Sequence, residues 1–207
     1  MLRTLKICFI LLVAGLLPGC TDNETGPSTE FDRTAMLENV ADNIILPRMQ
    51  ELKEETDALH SAVEAFAQEV SETNLAAARE AWQEAVEDWQ YNSAFGFGPG
   101  ELTLGSIGMV LGTFPVDNAA MELAIEQEDF SLNNFRRDVR GFYALEYLLF
   151  GPQAGNDNTL SLYLSADGSD RLAYLQAVSD NLKNNVDQVL SEWNGSYRTT
   201  FIESDGT

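Results

Sequence analysis

A single acid stands inside an apolar stretch of the chain, RGFYALEYLLFG at residues 140–151. Between Gly141 and Phe150, Glu146 is the only charged residue, and Tyr143 lies three positions before it. On a helix this spacing puts the two side chains on nearly the same face. A phenolate and a carboxylate are hard oxygen donors, which suit ferric iron or another divalent or trivalent cation. If a metal binds here, Glu146 is expected to be the main ligand and Tyr143 a weaker second ligand.

The surrounding residues predict that this acid is buried. Ser131 is a candidate N-cap for a helix that runs to Phe150. On such a helix Glu146 shares one seam with four apolar residues, namely Phe135, Val139, Phe142 and Leu149. A buried carboxylate needs a partner or a proton. Gly141 would lie inside the helix, at a cost of roughly 0.5–1 kcal/mol against alanine, which suggests close approach of a backbone or a ligand.

Two environments for Glu146 remain open. In the structural one, an arginine or a hydroxyl from a neighbouring helix pairs with it, and Arg48 and Arg79 are candidates. In the metal-binding one, the glycine-rich loop 96–112 walls a site around the acid. Two ligands alone do not make a metal site. His60, the only histidine, is one position off its helix's apolar stripe and is interpreted as a boundary residue.

Helical periodicity defines the elements that would position this site. Apolar stripes at spacings of three and four recur in residues 49–70, 75–89 and 172–193. Pro47 predicts a kink or a fresh helix start, Ser71 and Thr73 are N-cap candidates, and Asp117 predicts a short helix through Ile125. The last long helix begins near Asp167 or Ser169 and ends at Gly195. No alternating strand pattern occurs, so the predicted fold is all-α, an antiparallel helical bundle.

The N-terminus has the pattern of an exported protein. Residues 1–19 combine a basic start with a short apolar core, and they end in Leu17-Pro18-Gly19-Cys20, which resembles a bacterial lipobox. We therefore expect lipidation at Cys20 and a location in the cell envelope, at the outer membrane or the periplasmic face. An ordinary signal peptide is the alternative. Predicted boundaries are a tether at 20–32, the bundle at 33–195 and a tail, or the start of a missing second half, at 196–207.

Charge restricts the classes of partner. The formal net charge is -21, and residues 80–135 contain neither Lys nor Arg. Such a surface repels nucleic acid and anionic headgroups. Attraction for cations and plain solubility both fit the charge, which does not separate them.

Several blocks together resemble the imelysin family of bacterial envelope proteins, which is associated with iron uptake. They are Asn43–Pro47, the helix from Trp82 to Trp89 with the following Ala94–Pro99, Gly112–Asp117 and Arg140–Gly151. The resemblance marks Trp82, Trp89, Pro99 and Gly141 as structural motif residues. It implies a two-bundle protein with the signature in the first bundle, so a chain with one bundle would expose apolar surface and favour self-association.

The family signature is Gly-x-His-x-x-Glu, and here Tyr143 stands at the histidine position. Ser93 stands where relatives tend to carry a glutamate. Both differences remove candidate ligands, and a zinc hydrolase needs roughly three protein ligands and a general base. The resemblance therefore favours a non-enzymatic lipoprotein that binds a metal cation or an envelope partner protein in iron acquisition. The alternatives are a metallopeptidase with altered ligands and a degenerate structural or interaction module.

Overall fold

A computed structural model describes residues 31–133, 135–151 and 158–204. The predicted signal peptide, Cys20 and most of the predicted tether lie outside these ranges. The described residues form helices and loops and contain no strand, which confirms the all-α prediction. None of the described helices has the length and apolarity needed to span a membrane.

The N-terminal half is built on a long helical hairpin. Helix α1 (Arg33–Val40) continues through a π-helical turn, Ala41–Ile45, into α2 (Leu46–Gln68), and α3 (Glu72–Asn92) follows. Pro47 lies in the first turn of α2, directly after the π-helical turn, so the helical winding changes at this residue without a break in the chain of helical residues. Ser71 caps α3 by accepting a hydrogen bond from the Asn74 N–H at 3.3 Å. The three-residue connection makes α2 and α3 antiparallel neighbours.

The glycine-rich region, predicted to be a loop, contains two short helices, α4 (Pro99–Leu102) and α5 (Ile107–Leu111). Pro99 is buried and begins α4 directly after Gly98, whose φ is +64°. A Cβ at Gly98 would lie 2.3 Å from the Tyr197 ring. Glycine is therefore required there for both backbone conformation and space.

The prediction of one helix from Ser131 to Phe150 is wrong for the residues before Phe142. After α6 (Asn118–Glu126), which Asp117 caps as predicted, residues 131–133 and 135–136 are non-helical. A 3₁₀ turn covers Arg137–Val139, and helix α7 is only Phe142–Phe150. Phe135, which the prediction placed on a buried seam, is 98% exposed.

The C-terminal elements complete the bundle. They are α8 (Thr159–Tyr163), α9 (Gly168–Glu192), a π-helical turn at Trp193–Tyr197 and α10 (Arg198–Glu203). Gly195 has non-helical backbone angles, with φ -80° and ψ -106°, and it separates α9 from α10. The last long helix was predicted to end at this glycine. Arg198 forms two hydrogen bonds of 2.6 Å with Asp42, which ties α10 to the turn after α1.

The core lies where α2, α3 and α9 pack together, and α7 inserts against α3 and α9. Trp89 of α3 stacks on Phe142 of α7 with ring centroids 6.0 Å apart, which is a structural role as predicted. At the edge of the α2–α9 interface, Lys53 and Lys183 alternate with Asp57 and Asp187 in a ring of four ion pairs of 2.5–3.2 Å. Apolar packing thus forms the interior of the bundle, and this ring of ion pairs lies at the edge of the α2–α9 interface.

Candidate functional site

Helix α7 buries one face and exposes the other. Its buried residues are Phe142, Ala144, Leu145, Leu148 and Leu149. The outward stripe is Tyr143, Glu146, Tyr147 and Phe150, with Glu146 exposed and the three aromatic residues half-buried. The prediction that Glu146 is buried in the core is therefore wrong. Phe142 and Leu149, at spacings of four and three from Glu146, are buried, but Glu146 lies at the edge of that buried arc, beside Tyr143 and Phe150.

The outward stripe lines a groove of about 310 Å³, here called the α7 groove. Its other lining residues are Phe114, Val116, Asn118 and Gly151. Phe114 packs edge-on against Tyr143, with ring centroids 5.3 Å apart. The groove thus brings together the two predicted ligands, Glu146 and Tyr143. Its wall comes from residues 114–118, immediately after the glycine-rich loop 96–112 that was expected to form it.

Neither candidate arginine pairs with Glu146. Arg48 forms an ion pair with Glu51 at 2.8 Å. Arg79 reaches α7, but its Nε donates to the Leu149 carbonyl at 2.8 Å and its guanidinium lies over the Phe150 ring at 5.4 Å. Within the described ranges, no hydrogen bond or ion pair satisfies the Glu146 carboxylate. Its negative charge therefore faces the groove and solvent.

Three side chains from two helices, α3 and α8, fix the position of α7 through its carbonyl groups. Trp82 Nε1 donates to the Phe142 carbonyl at 2.8 Å, and the Tyr163 hydroxyl donates to the Leu148 carbonyl at 2.8 Å. Leu148, like the Leu149 carbonyl bound by Arg79, belongs to the last turn, where carbonyls lack partners within the helix. Trp82 was predicted to be structural, and this bond defines its role.

Gly141 is the N-cap of α7 and not an interior residue, which corrects the mid-helix prediction. Its φ of +82° and ψ of -169° lie in a region that is essentially restricted to glycine. A Cβ at this position would lie 2.4 Å from the Leu111 carbonyl oxygen, so the backbone of α5 approaches α7 closely. The expected close approach of another backbone is therefore present, at the start of the helix.

A second acid, Glu122 of α6, contacts Tyr147, one of the residues that line the groove. The Tyr147 hydroxyl donates to Glu122 Oε1 at 2.7 Å, and Arg171 forms an ion pair with Oε2 of the same carboxylate. Burial, with a contribution from Glu122, raises the pKa of Tyr147 to about 12. Tyr147 is therefore protonated at neutral pH and acts as a hydrogen-bond donor. Both oxygens of Glu122 are occupied, so this acid is not a free ligand.

The contact among Tyr147, Glu122 and Arg171, here called the Tyr147–Glu122–Arg171 trio, was not predicted from the sequence, although the position of Arg171 indicated a buried ion pair. The buried stripe of α9 continues back from Val178 and Leu175 to Arg171, which is only 8% exposed. A charged residue on an apolar stripe predicts a buried ion pair. Nothing comparable in the sequence marks Glu122, because α6 is short and its buried face is narrow.

The donor set does not fit a catalytic zinc site. No cluster of three or more His, Cys, Asp or Glu side chains suited to a metal occurs in the described part of the chain. Ser93, at the position expected to have lost a glutamate, is exposed and donates to the Gln90 carbonyl at 2.7 Å. His60 lies between α2 and α9, with Nδ1 3.3 Å from Ser179 Oγ and 3.5 Å from Asp180 Oδ1. A cation in the α7 groove would therefore keep much of its water shell.

Comparisons with known proteins agree with the fold. The imelysin family model (Peptidase_M75) matches residues 45–207. Iron-regulated protein A of Synechococcus elongatus is 28% identical over 149 residues, which are 72% of this chain and 38% of that protein. This chain therefore spans well under half of that curated relative.

Two solved structures share the architecture. One, labelled an iron-regulated protein A precursor, from Parabacteroides distasonis ATCC 8503, has a TM-score of 0.72 and 24% identity, covering 89% of this chain and 53% of its own. The other, an imelysin-like protein from Psychrobacter arcticum 273-4, has a TM-score of 0.65 and 19% identity, covering 84% of this chain and 55% of its own. At these identities the structures support the fold alone. With the family model matching most of its length, the chain belongs to the imelysin family.

Proposed function

We propose that this chain is a non-enzymatic envelope protein of iron acquisition, anchored through a lipid on Cys20, whose α7 groove binds a partly hydrated cation at Glu146. The proposal rests on the Glu146 carboxylate, which has no hydrogen-bond or ion-pair partner among the described residues and lines the same groove as Tyr143. The iron context rests on the name of the Synechococcus relative, and the anchor rests on the lipobox-like sequence.

The chemistry of the groove favours binding over catalysis. Glu146 supplies a negative charge, and Tyr143 supplies an oxygen that becomes a strong ligand once a high-charge cation displaces its proton. Tyr147 is engaged with Glu122 and does not add a third anionic donor. The family's alternative, a metallopeptidase, needs roughly three protein ligands and an open position. The described residues bring two candidate ligands together here.

Metal titration of matched variants tests this function. Fe³⁺, supplied as a weak chelate, is titrated into the wild type, Glu146→Gln, Tyr143→Phe and the control Glu87→Gln, which removes an exposed acid from α3. We expect Glu146→Gln to weaken binding by about tenfold, or 1.4 kcal/mol, and Glu87→Gln to leave it unchanged. Tyr143→Phe should abolish the visible charge-transfer band of a phenolate–iron complex.

Equal affinity in wild type and Glu146→Gln would reject the ligand assignment. Equal weakening in Glu146→Gln and Glu87→Gln would show that iron responds only to the overall charge of the protein, which also rejects the site. Circular dichroism of each variant checks that the helical content is unchanged.

A further inference from the structure

A second concavity, here called the α6 cleft, lies between α6, α8 and the start of α9. It has a volume of about 720 Å³, and Glu122 and Arg171, which line it, are in contact with Tyr147, which lines the α7 groove. Its lining residues are Ala119, Glu122, Leu123, Ile125, Glu126, Leu162, Ser165, Asp167 and Arg171. This volume is in the range of pockets that take a drug-sized ligand or several side chains of a partner.

The cleft carries excess negative charge. Among the lining residues that the structure describes, Arg171 is the only cation, and it already neutralises Glu122 through their ion pair. Glu126 and Asp167 are exposed on the rim, and their side chains have no cationic partner among the described residues. The cleft therefore repels anions. It also does not suit a bare metal ion, because these acids form no cluster of metal-ligand type within the described ranges.

Exposed apolar side chains lie in the cleft and next to it. Leu123 lines it and is 49% exposed, and Leu164, next to the lining residues Leu162 and Ser165, is 64% exposed. Large apolar side chains beside unpaired acids are typical of a recognition surface, with an apolar centre and a polar rim. A ligand that matches both features has cationic groups close to aliphatic ones.

We infer that the α6 cleft is a docking site for a partner protein segment in which Lys or Arg residues flank leucine-like side chains. The cationic groups pair with Glu126 and Asp167, and the aliphatic groups cover Leu123 and Leu164. Charge complementarity selects this occupant, because a second copy of this acidic chain would bring like charge to the cleft. The inference is independent of cation binding in the α7 groove.

Fluorescence anisotropy with a defined probe tests the inference. The probe is a fluorescein-labelled, C-terminally amidated peptide of sequence KLLKLLKG, and the comparison peptide is ELLELLEG. Full-length wild type is compared with Glu126→Gln/Asp167→Asn and with the control Glu80→Gln/Glu87→Gln. The control removes the same charge from exposed positions on α3 that do not line the cleft. Leu123→Ala and Glu146→Gln are measured in the same series.

We expect the cleft double variant to weaken binding of the lysine peptide by about tenfold and the control double variant to change it by less than about twofold. Leu123→Ala should weaken it by about threefold or more, and Glu146→Gln should leave it unchanged. Equal weakening in the two double variants would show attraction to overall charge only and would overturn the inference. Absence of binding to the wild type, or equal binding of the glutamate peptide, would overturn it as well.

Discussion

Substitution of Gly141 by alanine should destabilise the bundle strongly, because two independent penalties act at this position. Residues held in a glycine-only region of backbone space cost about 1–3 kcal/mol. The added Cβ would lie 2.4 Å from the buried Leu111 carbonyl oxygen, a backbone atom that cannot rotate away. Forcing extra atoms into such a contact costs about 1–3 kcal/mol more. Together they predict a loss of roughly 2–6 kcal/mol from the free energy of unfolding.

Urea unfolding followed by far-UV circular dichroism measures this loss. A slope of about 2 kcal/mol/M converts it to a decrease of about 1–3 M in the unfolding midpoint. Gly108→Ala is the matched control, since Gly108 is exposed in α5 and the nearest atom to its new Cβ would be Ser106 Oγ at 3.7 Å. The control should change stability by less than about 1 kcal/mol, and in the stabilising direction.

The reasoning fails if Gly141→Ala and Gly108→Ala have similar midpoints. That result would mean that α5 and α7 are not in backbone contact, or that the first turn of α7 relaxes without cost. A decrease in the slope for Gly141→Ala would instead indicate a change in the compactness of one state, and a second probe such as tryptophan fluorescence distinguishes the two cases.

Three further predictions concern the groups around α7 and the α2–α9 interface. Tyr163→Phe should cost about 1–3 kcal/mol in urea unfolding, because a buried carbonyl of the last turn of α7 loses its donor; an unchanged midpoint would refute that bond. The folded-state pKa of Tyr147 is raised to about 12 from 10.0, so its contribution is present below pH 10 and is lost between pH 10 and about 12. Wild type should therefore lose more stability than Tyr147→Phe across that window, and parallel losses would contradict the assignment. Burial tends to raise the pKa of Asp57, but Lys53 and Lys183 lower it overall, so its stabilisation should disappear as the pH falls below its usual value of 3.8. Asp57→Asn should flatten the acid side of the stability curve, and an unchanged curve would exclude the ion-pair ring as a contributor.

Local rules predicted much of the scaffold. Spacings of three and four identified the buried stripes of α2 and α3, and the caps Ser71 and Asp117 were confirmed, because periodicity and capping depend on nearby residues. Pro47 likewise lies in the first turn of α2, where a kink or a helix start was predicted.

The face of Glu146 could not be predicted in the same way. Helix α7 is apolar on most sides, so periodicity does not indicate which side meets the core; this depends on where α3 and α9 lie. Phe142 and Leu149 are buried at spacings of four and three from Glu146, so the exposed acid lies at the edge of the buried arc, where spacing alone does not decide its exposure. The hydrogen bond between Tyr147 and Glu122 joins residues 25 positions apart, which no local pattern encodes.

The outward position of Tyr143 has a consequence for how members of this fold can differ. Because the side chain lies in an open groove and not in the core, exchanging histidine for tyrosine there changes the donor atoms offered to a ligand while the bundle keeps its packing. The chemical groups that this position presents to the groove can therefore change without a change in the buried face of α7. A single codon can alter what the surface attracts, and the cost to folding is small.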